Sequence, residues 1–63
     1  MNFKENLKQI RRIKGLTQEE LAEKVNVTKF AIRHYEQGQT EPKFEILEKI
    51  KVALDCSYDD LLK

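Results

Sequence analysis

The stretch Thr17–Gly38, TQEELAEKVNVTKFAIRHYEQG, contains two helix starts separated by a short turn. Thr17 and Glu20 have the spacing of a capping box, and Thr28 is a second cap residue. Between these starts, Asn26 tolerates the left-handed backbone conformation that a tight turn between helices needs. The pattern predicts helices over about 17–25 and 28–37.

These two helices must stabilise each other. Isolated helices shorter than about 12–15 residues are marginal in water. Four apolar side chains are placed to hold the pair together: Leu21, Ala22, Val27 and Ile32. A larger residue in place of Ala22 would push the helices apart. The outer face of the second helix stays free, which is the arrangement that enters a DNA major groove about 12 Å wide.

Three further helices are predicted around this pair. Phe3, Leu7, Ile10 and Ile13 form an apolar stripe over about 3–14, with Asn2 and Glu5 as a capping box and Gly15 as the stop. Pro42 precedes a helix over about 43–54, and Ser57 caps a last helix over about 58–62. The inward side chains of the longer of these helices are expected to be Phe44, Leu47, Ile50 and Leu54. We predict an all-α fold in a single domain, 1–63.

Composition sets limits on location and chemistry. The net charge is only +1, yet residues 1–14 hold five basic side chains and one acidic side chain. The one cysteine fits a reducing compartment, and we find no signal peptide and no membrane-spanning stretch. We therefore expect a cytoplasmic protein that has no metal, cofactor or small-molecule ligand and is not an enzyme.

The sequence resembles the XRE-type family, whose members are phage-repressor and Cro-like helix-turn-helix proteins. The matching residues are Leu7–Arg11, Gly15–Ala22, Val27, Thr28, Ile32, Tyr35, Glu36, Gly38, Pro42, Leu47, Leu54 and Asp59–Leu62. The resemblance implies a compact five-helix, lambda-repressor-like domain whose helix-turn-helix is formed by helices 2 and 3. It further implies a transcriptional regulator, typically a repressor, that binds palindromic operator DNA as a homodimer.

The same resemblance implies which side chains meet DNA. They are Thr17, Gln18, Thr28, Lys29, Phe30, Arg33, His34, Gln37, Gln39, Thr40 and Lys43. Lys29 and Arg33 can donate to guanine, and Phe30 departs from the polar residue that relatives often carry. Phe30 could pack on a thymine methyl group or cover a neighbouring subunit. The family also pairs an arginine late in the first helix with a glutamate late in the third, which here are Arg11 and Glu36.

Other features allow more than one interpretation. Cys56 fits a small buried hydrophobe better than a redox sensor, and His34 has no second metal ligand at suitable spacing. Candidates for a dimer contact are Ile46, Val52, Tyr58 and Leu62, although they are equally compatible with scattered exposed apolar side chains. The alternative function is a protein-interaction module or antitoxin-like component that acts mainly through a protein partner.

Overall fold

The computed structural model describes residues 2–63 and contains five helices. They are α1 (Phe3–Ile13), α2 (Gln18–Val25), α3 (Lys29–Gln37), α4 (Phe44–Leu54) and α5 (Tyr58–Leu62). No strand occurs within these residues, so the predicted all-α, five-helix fold is confirmed. The predicted bounds of α1 to α4 each differ from the observed bounds by one residue. The predicted ranges of α2, α3 and α4 included the N-cap residue, and that of α1 included Lys14 in the turn after the helix. No helix among the described residues is long and apolar enough to cross a membrane.

Three helix starts are capped as the sequence predicts. The hydroxyls of Thr17 and Ser57 each accept from the backbone N–H three residues further along the chain. The carboxylates of Glu20 and Asp60 accept from the backbone N–H of Thr17 and Ser57 in return, which completes a capping box at the start of α2 and of α5. The Thr28 hydroxyl accepts from the N–H of Ala31.

The predicted cap at Asn2 is wrong. Asn2 makes no side-chain capping bond, and its backbone ψ of 47° lies outside the extended region. The ψ of Thr17, in contrast, is 166°. An N-cap side chain reaches the following N–H groups from the extended conformation, so the backbone at Asn2 does not favour this bond.

Four helices end in the same backbone motif. Gly15, Asn26, Gly38 and Asp55 all have positive φ. After each of them, the next N–H donates back to a carbonyl five residues earlier. In three cases that next residue packs against the core, and these residues are Leu16, Val27 and Cys56. After α3 it is Gln39, which is exposed and does not pack against the core.

The core lies where all five helices meet. Its buried apolar residues are Phe3, Leu7, Leu21, Ala22, Val25, Ile32, Ile50, Leu54 and Leu61. Two predicted core residues are wrong: Ile13 is 77% exposed and Phe44 is 67% exposed. Ile13 follows Leu7 by six residues, and Phe44 precedes Ile50 by six. At 3.6 residues per turn, six positions rotate a side chain by about 120° away from the buried stripe.

The turn between α2 and α3 yields the first prediction. Asn26 has φ 61° and an exposed side chain, so its backbone conformation decides the effect of substitution. We expect Asn26→Ala to lower the free energy of unfolding by about 1 kcal/mol, because alanine lacks the local hydrogen bonding that eases a left-handed conformation. Asn26→Gly should keep or slightly raise it. Urea denaturation of both variants measures the difference, and equal losses would argue against a left-handed Asn26 in solution.

The second prediction concerns pH. The backbone N–H of Ser57, followed by its hydroxyl, holds the pKa of Asp60 below its usual range. The ionised carboxylate therefore adds stability above the usual pKa, and this contribution is lost as pH falls through the lowered value. Ser57→Ala should move the Asp60 pKa upward, as followed by NMR titration of the carboxyl carbon. An unchanged pKa would mean that the Ser57 hydroxyl makes no hydrogen bond to the Asp60 carboxylate in solution.

Candidate nucleic-acid interface

The inner face of α3 is fixed by α2. Leu21 and Ala22 on α2 are buried, as is Ile32 on α3, and Val27 in the turn packs against the same core. The opposite side of α3 faces solvent: Lys29, Phe30, Arg33 and Gln37 are exposed, while His34 is half-buried. We refer to these five residues as the outer face of α3.

A buried ion pair locks α3 to α1. Arg11 Nε donates to Glu36 Oε2 at 2.6 Å, and Arg11 Nη2 donates to Glu36 Oε1 at 3.1 Å. Arg11 Nη1 also donates to the carbonyl of Leu16 at 2.7 Å. The structure thus brings Arg11 and Glu36 together as a bidentate pair, and the same guanidinium holds the chain where α1 turns into α2.

Gln18 joins this network. Its Nε2 donates to Glu36 Oε1 at 3.1 Å, and the residue is half-buried. Gln18 is one of the predicted DNA contacts, but one N–H of its side-chain amide is therefore already used in a hydrogen bond within the protein. The contact ties the first turn of α2 to α3, so Gln18 helps to set the relative position of the two helices.

Thr17 and Thr28 stand at the starts of α2 and α3. Each hydroxyl oxygen accepts one backbone hydrogen bond as a cap. A hydroxyl keeps its own proton as a donor, so each can still donate to a phosphate oxygen. Both are exposed. The positive ends of the two helix dipoles favour an anion at the same places.

Phe30 and Arg33 form a pair on the outer face of α3. The guanidinium carbon of Arg33 lies 5.3 Å from the centre of the Phe30 ring, within the range of a cation–π contact. Phe30 is 61% exposed, so the ring is covered only in part. Both residues are among the predicted DNA contacts, but nothing in the sequence indicates that they touch.

One residue that the sequence did not indicate, Lys4, lies beside the segment after α3. In this segment Gln39, Thr40 and Lys43 are exposed, as contact with DNA phosphates would require. Lys4 on α1 reaches the same place: a Cβ on Gly38 would lie 2.8 Å from its Cδ and 3.5 Å from its Nζ. No local pattern in α1 signals this approach, because it follows from the packing of α1 against α3. Lys4 adds an exposed cation beside the end of α3.

The four dimer candidates have different surroundings. Tyr58 stacks with Phe44 at 6.2 Å between ring centres, and Lys51 Nζ lies 4.9 Å from the Tyr58 ring. Val52 instead lines an open groove with Lys24 on the α2 side of α4. Ile46 and Leu62 are partly buried against the core.

Cys56 is half-buried and packs against the core. Burial raises the pKa of its thiol, so the thiol stays protonated near neutral pH. Its environment therefore suits a packing residue better than a reactive one. Among residues 2–63, no group of three His, Cys, Asp or Glu side chains is placed to hold a metal ion.

Comparison with known proteins gives consistent matches. A helix-turn-helix family model matches residues 7–61. The uncharacterized HTH-type transcriptional regulator YqaE of Bacillus subtilis is 46% identical over 61 residues, which cover 97% of this chain and 53% of that protein. The HTH-type transcriptional regulator SinR of Bacillus subtilis is 41% identical over 59 residues, which cover 92% of this chain and 53% of that protein. The chain thus spans about half the length of these relatives.

The fold matches solved structures over its whole length. The P22 c2 repressor, in a crystal structure with synthetic operator, superimposes with a TM-score of 0.93 at 35% identity, covering 100% of this chain and 96% of that chain. The restriction-modification controller protein C.AhdI from Aeromonas hydrophila has a TM-score of 0.91 at 30% identity, covering 97% and 92%.

The ion pair gives the third prediction. Glu36→Leu leaves the buried Arg11 without its partner, and we expect the free energy of unfolding to fall by about 3–5 kcal/mol. The double variant Arg11→Met/Glu36→Leu removes both charges and should lose clearly less than Glu36→Leu alone. Thermal and urea denaturation of the two variants and of Arg11→Met complete the cycle. Additive losses would contradict a direct coupling between the two side chains.

Proposed function

The chain belongs to the XRE-type helix-turn-helix family, and on this premise we propose that it is a transcriptional regulator that binds specific double-stranded DNA with α3 as its recognition helix. The observation that carries the proposal is the outer face of α3, which is polar and basic apart from one aromatic ring. That face stands free while the inner face is fixed by the core and by Glu36. The matched P22 repressor structure contains an operator, which supports the same use of the fold here.

The side chains on this face divide into two roles. Arg33 and Lys29 are exposed near the middle and the start of α3, where a helix in the major groove brings side chains to base edges. We assign them to guanine, whose O6 and N7 accept from basic side chains. His34 and Gln37 extend this face toward the end of α3.

Phosphate contacts are assigned to the rim of the face. Thr17 and Thr28 stand at helix starts, and Gln39, Thr40 and Lys43 follow α3, with Lys4 beside them. Contacts of this kind fix the orientation of the protein on the duplex and carry no sequence information themselves.

We propose that the regulator is a repressor and acts as a homodimer on a palindromic operator. Support for a contact between subunits comes from α4 and α5, where Phe44 is exposed and stacks on Tyr58. Leu62 lies partly buried nearby and shares a surface depression with Leu47. Among the four sequence candidates, Tyr58 and Leu62 fit such a contact better than Val52.

The relatives favour this function over the alternative. YqaE and SinR bear the names of transcriptional regulators, which gives no support to a module that works mainly through a protein partner. We infer that the chain acts by binding and not by catalysis. We also infer that it works in the cytoplasm, where bacterial DNA is accessible.

The fourth prediction tests DNA binding directly. Selection from a random duplex pool at low salt should enrich one motif, and anisotropy titrations should give a steep loss of affinity as salt rises. Arg33→Ala should weaken the selected motif about tenfold or more and relax specificity at one base pair. Lys43→Ala should instead weaken all sequences alike and reduce the salt slope by about one.

Lys49→Ala is the matched control, because Lys49 is an exposed lysine of α4 that lines a groove with Lys24 of α2 and with no residue of α3. It should change neither the motif nor the specificity. A pool that enriches no motif at low salt rejects the proposal. If Arg33→Ala and Lys49→Ala lowered the affinity for the selected motif by the same factor, Arg33 would not be a base-reading residue.

A further inference from the structure

A groove between α2 and α4 lies on a surface that the proposed DNA contacts do not use. It has a volume of about 750 Å³ and is lined by Lys24, Glu45, Glu48, Lys49, Val52 and Ala53. Five of these six residues are exposed, and only Ala53 packs against the core. The fold therefore does not explain the set of side chains that line the groove.

Val52 is the largest apolar side chain in the groove, and it is 70% exposed. A side chain that branches at Cβ loses rotamer freedom in a helix, so solvent exposure alone does not favour valine here. Glu48 and Lys49 precede Val52 by four and three residues, which places all three on one side of α4. An apolar side chain thus stands beside charged ones in an open groove, as at the centre of a small contact surface.

The charges of the groove are complementary to themselves. Lys24 and Lys49 supply two cations, and Glu45 and Glu48 supply two anions. None of the four forms an ion pair with another residue in the described part of the chain. A twofold contact between identical surfaces needs this composition, because every residue that meets a second residue of the partner is matched by the reverse contact.

We propose that the groove is a contact between two copies of this chain bound at adjacent sites on one DNA duplex, an inference that rests on the proposed DNA-binding function. Val52 of each copy lies in the groove of the other, and Lys24 of each copy faces Glu48 of the other. Phe44 and Tyr58, which we assign to the dimer on one operator, do not line this groove. Occupation of one site therefore favours occupation of the next.

The size of the groove explains why DNA is needed for the contact. Six lining residues are far fewer than the roughly 20–30 residues on each side of a stable interface. The groove alone therefore gives only weak association in free solution. Two copies held side by side on one duplex have an effective concentration on the order of millimolar, at which a weak contact forms.

The fifth prediction uses duplexes that carry the selected motif once or twice. The spacing between two motifs is varied in steps of one base pair over a helical turn of about 10.5 base pairs, and occupancy is followed by gel shift. We expect the second motif to fill about tenfold more tightly when both copies lie on the same side of the duplex, and no gain half a turn away. Val52→Asn should abolish this gain without changing the affinity for a single motif.

Charge reversal identifies what occupies the groove. Lys24→Glu and Glu48→Lys each place like charges across the contact, so each should remove most of the gain. The double variant should restore it, because the pair forms again with opposite polarity, which a different protein in the groove would not allow. Lys14→Glu is the matched control: Lys14 is exposed and does not line the groove, so the gain should persist. Circular dichroism of all variants should show intact helices, because each altered side chain is exposed.

The outcomes separate this inference from the proposed function. Two motifs that fill independently at every spacing overturn the contact and leave the DNA-binding function standing. A gain that survives Val52→Asn, or charge reversals whose losses add in the double variant, also overturns it. If Val52→Asn weakens binding to a single motif, the groove belongs to the operator dimer and the inference is wrong. Failure to select any motif rejects the function and this inference together.

Discussion

The arrangement of the helix-turn-helix depends on one buried ion pair. Arg11 contacts Glu36 on α3 and the carbonyl of Leu16, while Gln18 on α2 donates to the same carboxylate. Three helices and the turn between two of them therefore meet at one carboxylate and one guanidinium. Burying both charges costs desolvation energy that their attraction repays only with good geometry. Every buried side-chain nitrogen and oxygen among residues 2–63 has a partner, so that condition is met here. The pair limits the positions that α2 and α3 can take relative to α1. Apolar contacts alone would specify these positions less precisely.

Helix starts and turns were largely predictable from the sequence because they depend on local chemistry. Thr17 with Glu20, Thr28 and Ser57 were identified from residue type and spacing, as was Asn26. The failures are non-local or depend on backbone angles that residue type does not fix. Ile13 and Phe44 belong to the apolar pattern of the sequence but lie about 120° around their helices from the buried stripe. Asn2 has a suitable side chain but an unsuitable ψ, and the left-handed Asp55 carries no clear sign in the sequence.

The surface position of most candidate residues was predictable, but the contacts among them were not. The resemblance to a known family supplied the outward positions on α3, and the structure places most of them at the surface. The resemblance could not show that Gln18 donates a hydrogen bond to Glu36 or that Arg33 lies over Phe30. Both contacts depend on which rotamers these side chains adopt. Lys4 was missed for a different reason. It reaches Gly38 only because α1 and α3 pack together, and its position in the sequence gives no hint of that proximity.

The residues that hold the fold and those proposed to recognise DNA occupy different stripes of the same nine-residue helix. Ile32 and Glu36, four residues apart, point inward and meet the core and the ion pair. Phe30 and Arg33, three residues apart, are exposed and lie against each other. Since the outer stripe contributes little to stability, its side chains are free to change without loss of the fold. Specificity can therefore diverge among relatives that keep the same helices. In this chain the outer stripe carries an aromatic ring with an arginine over it.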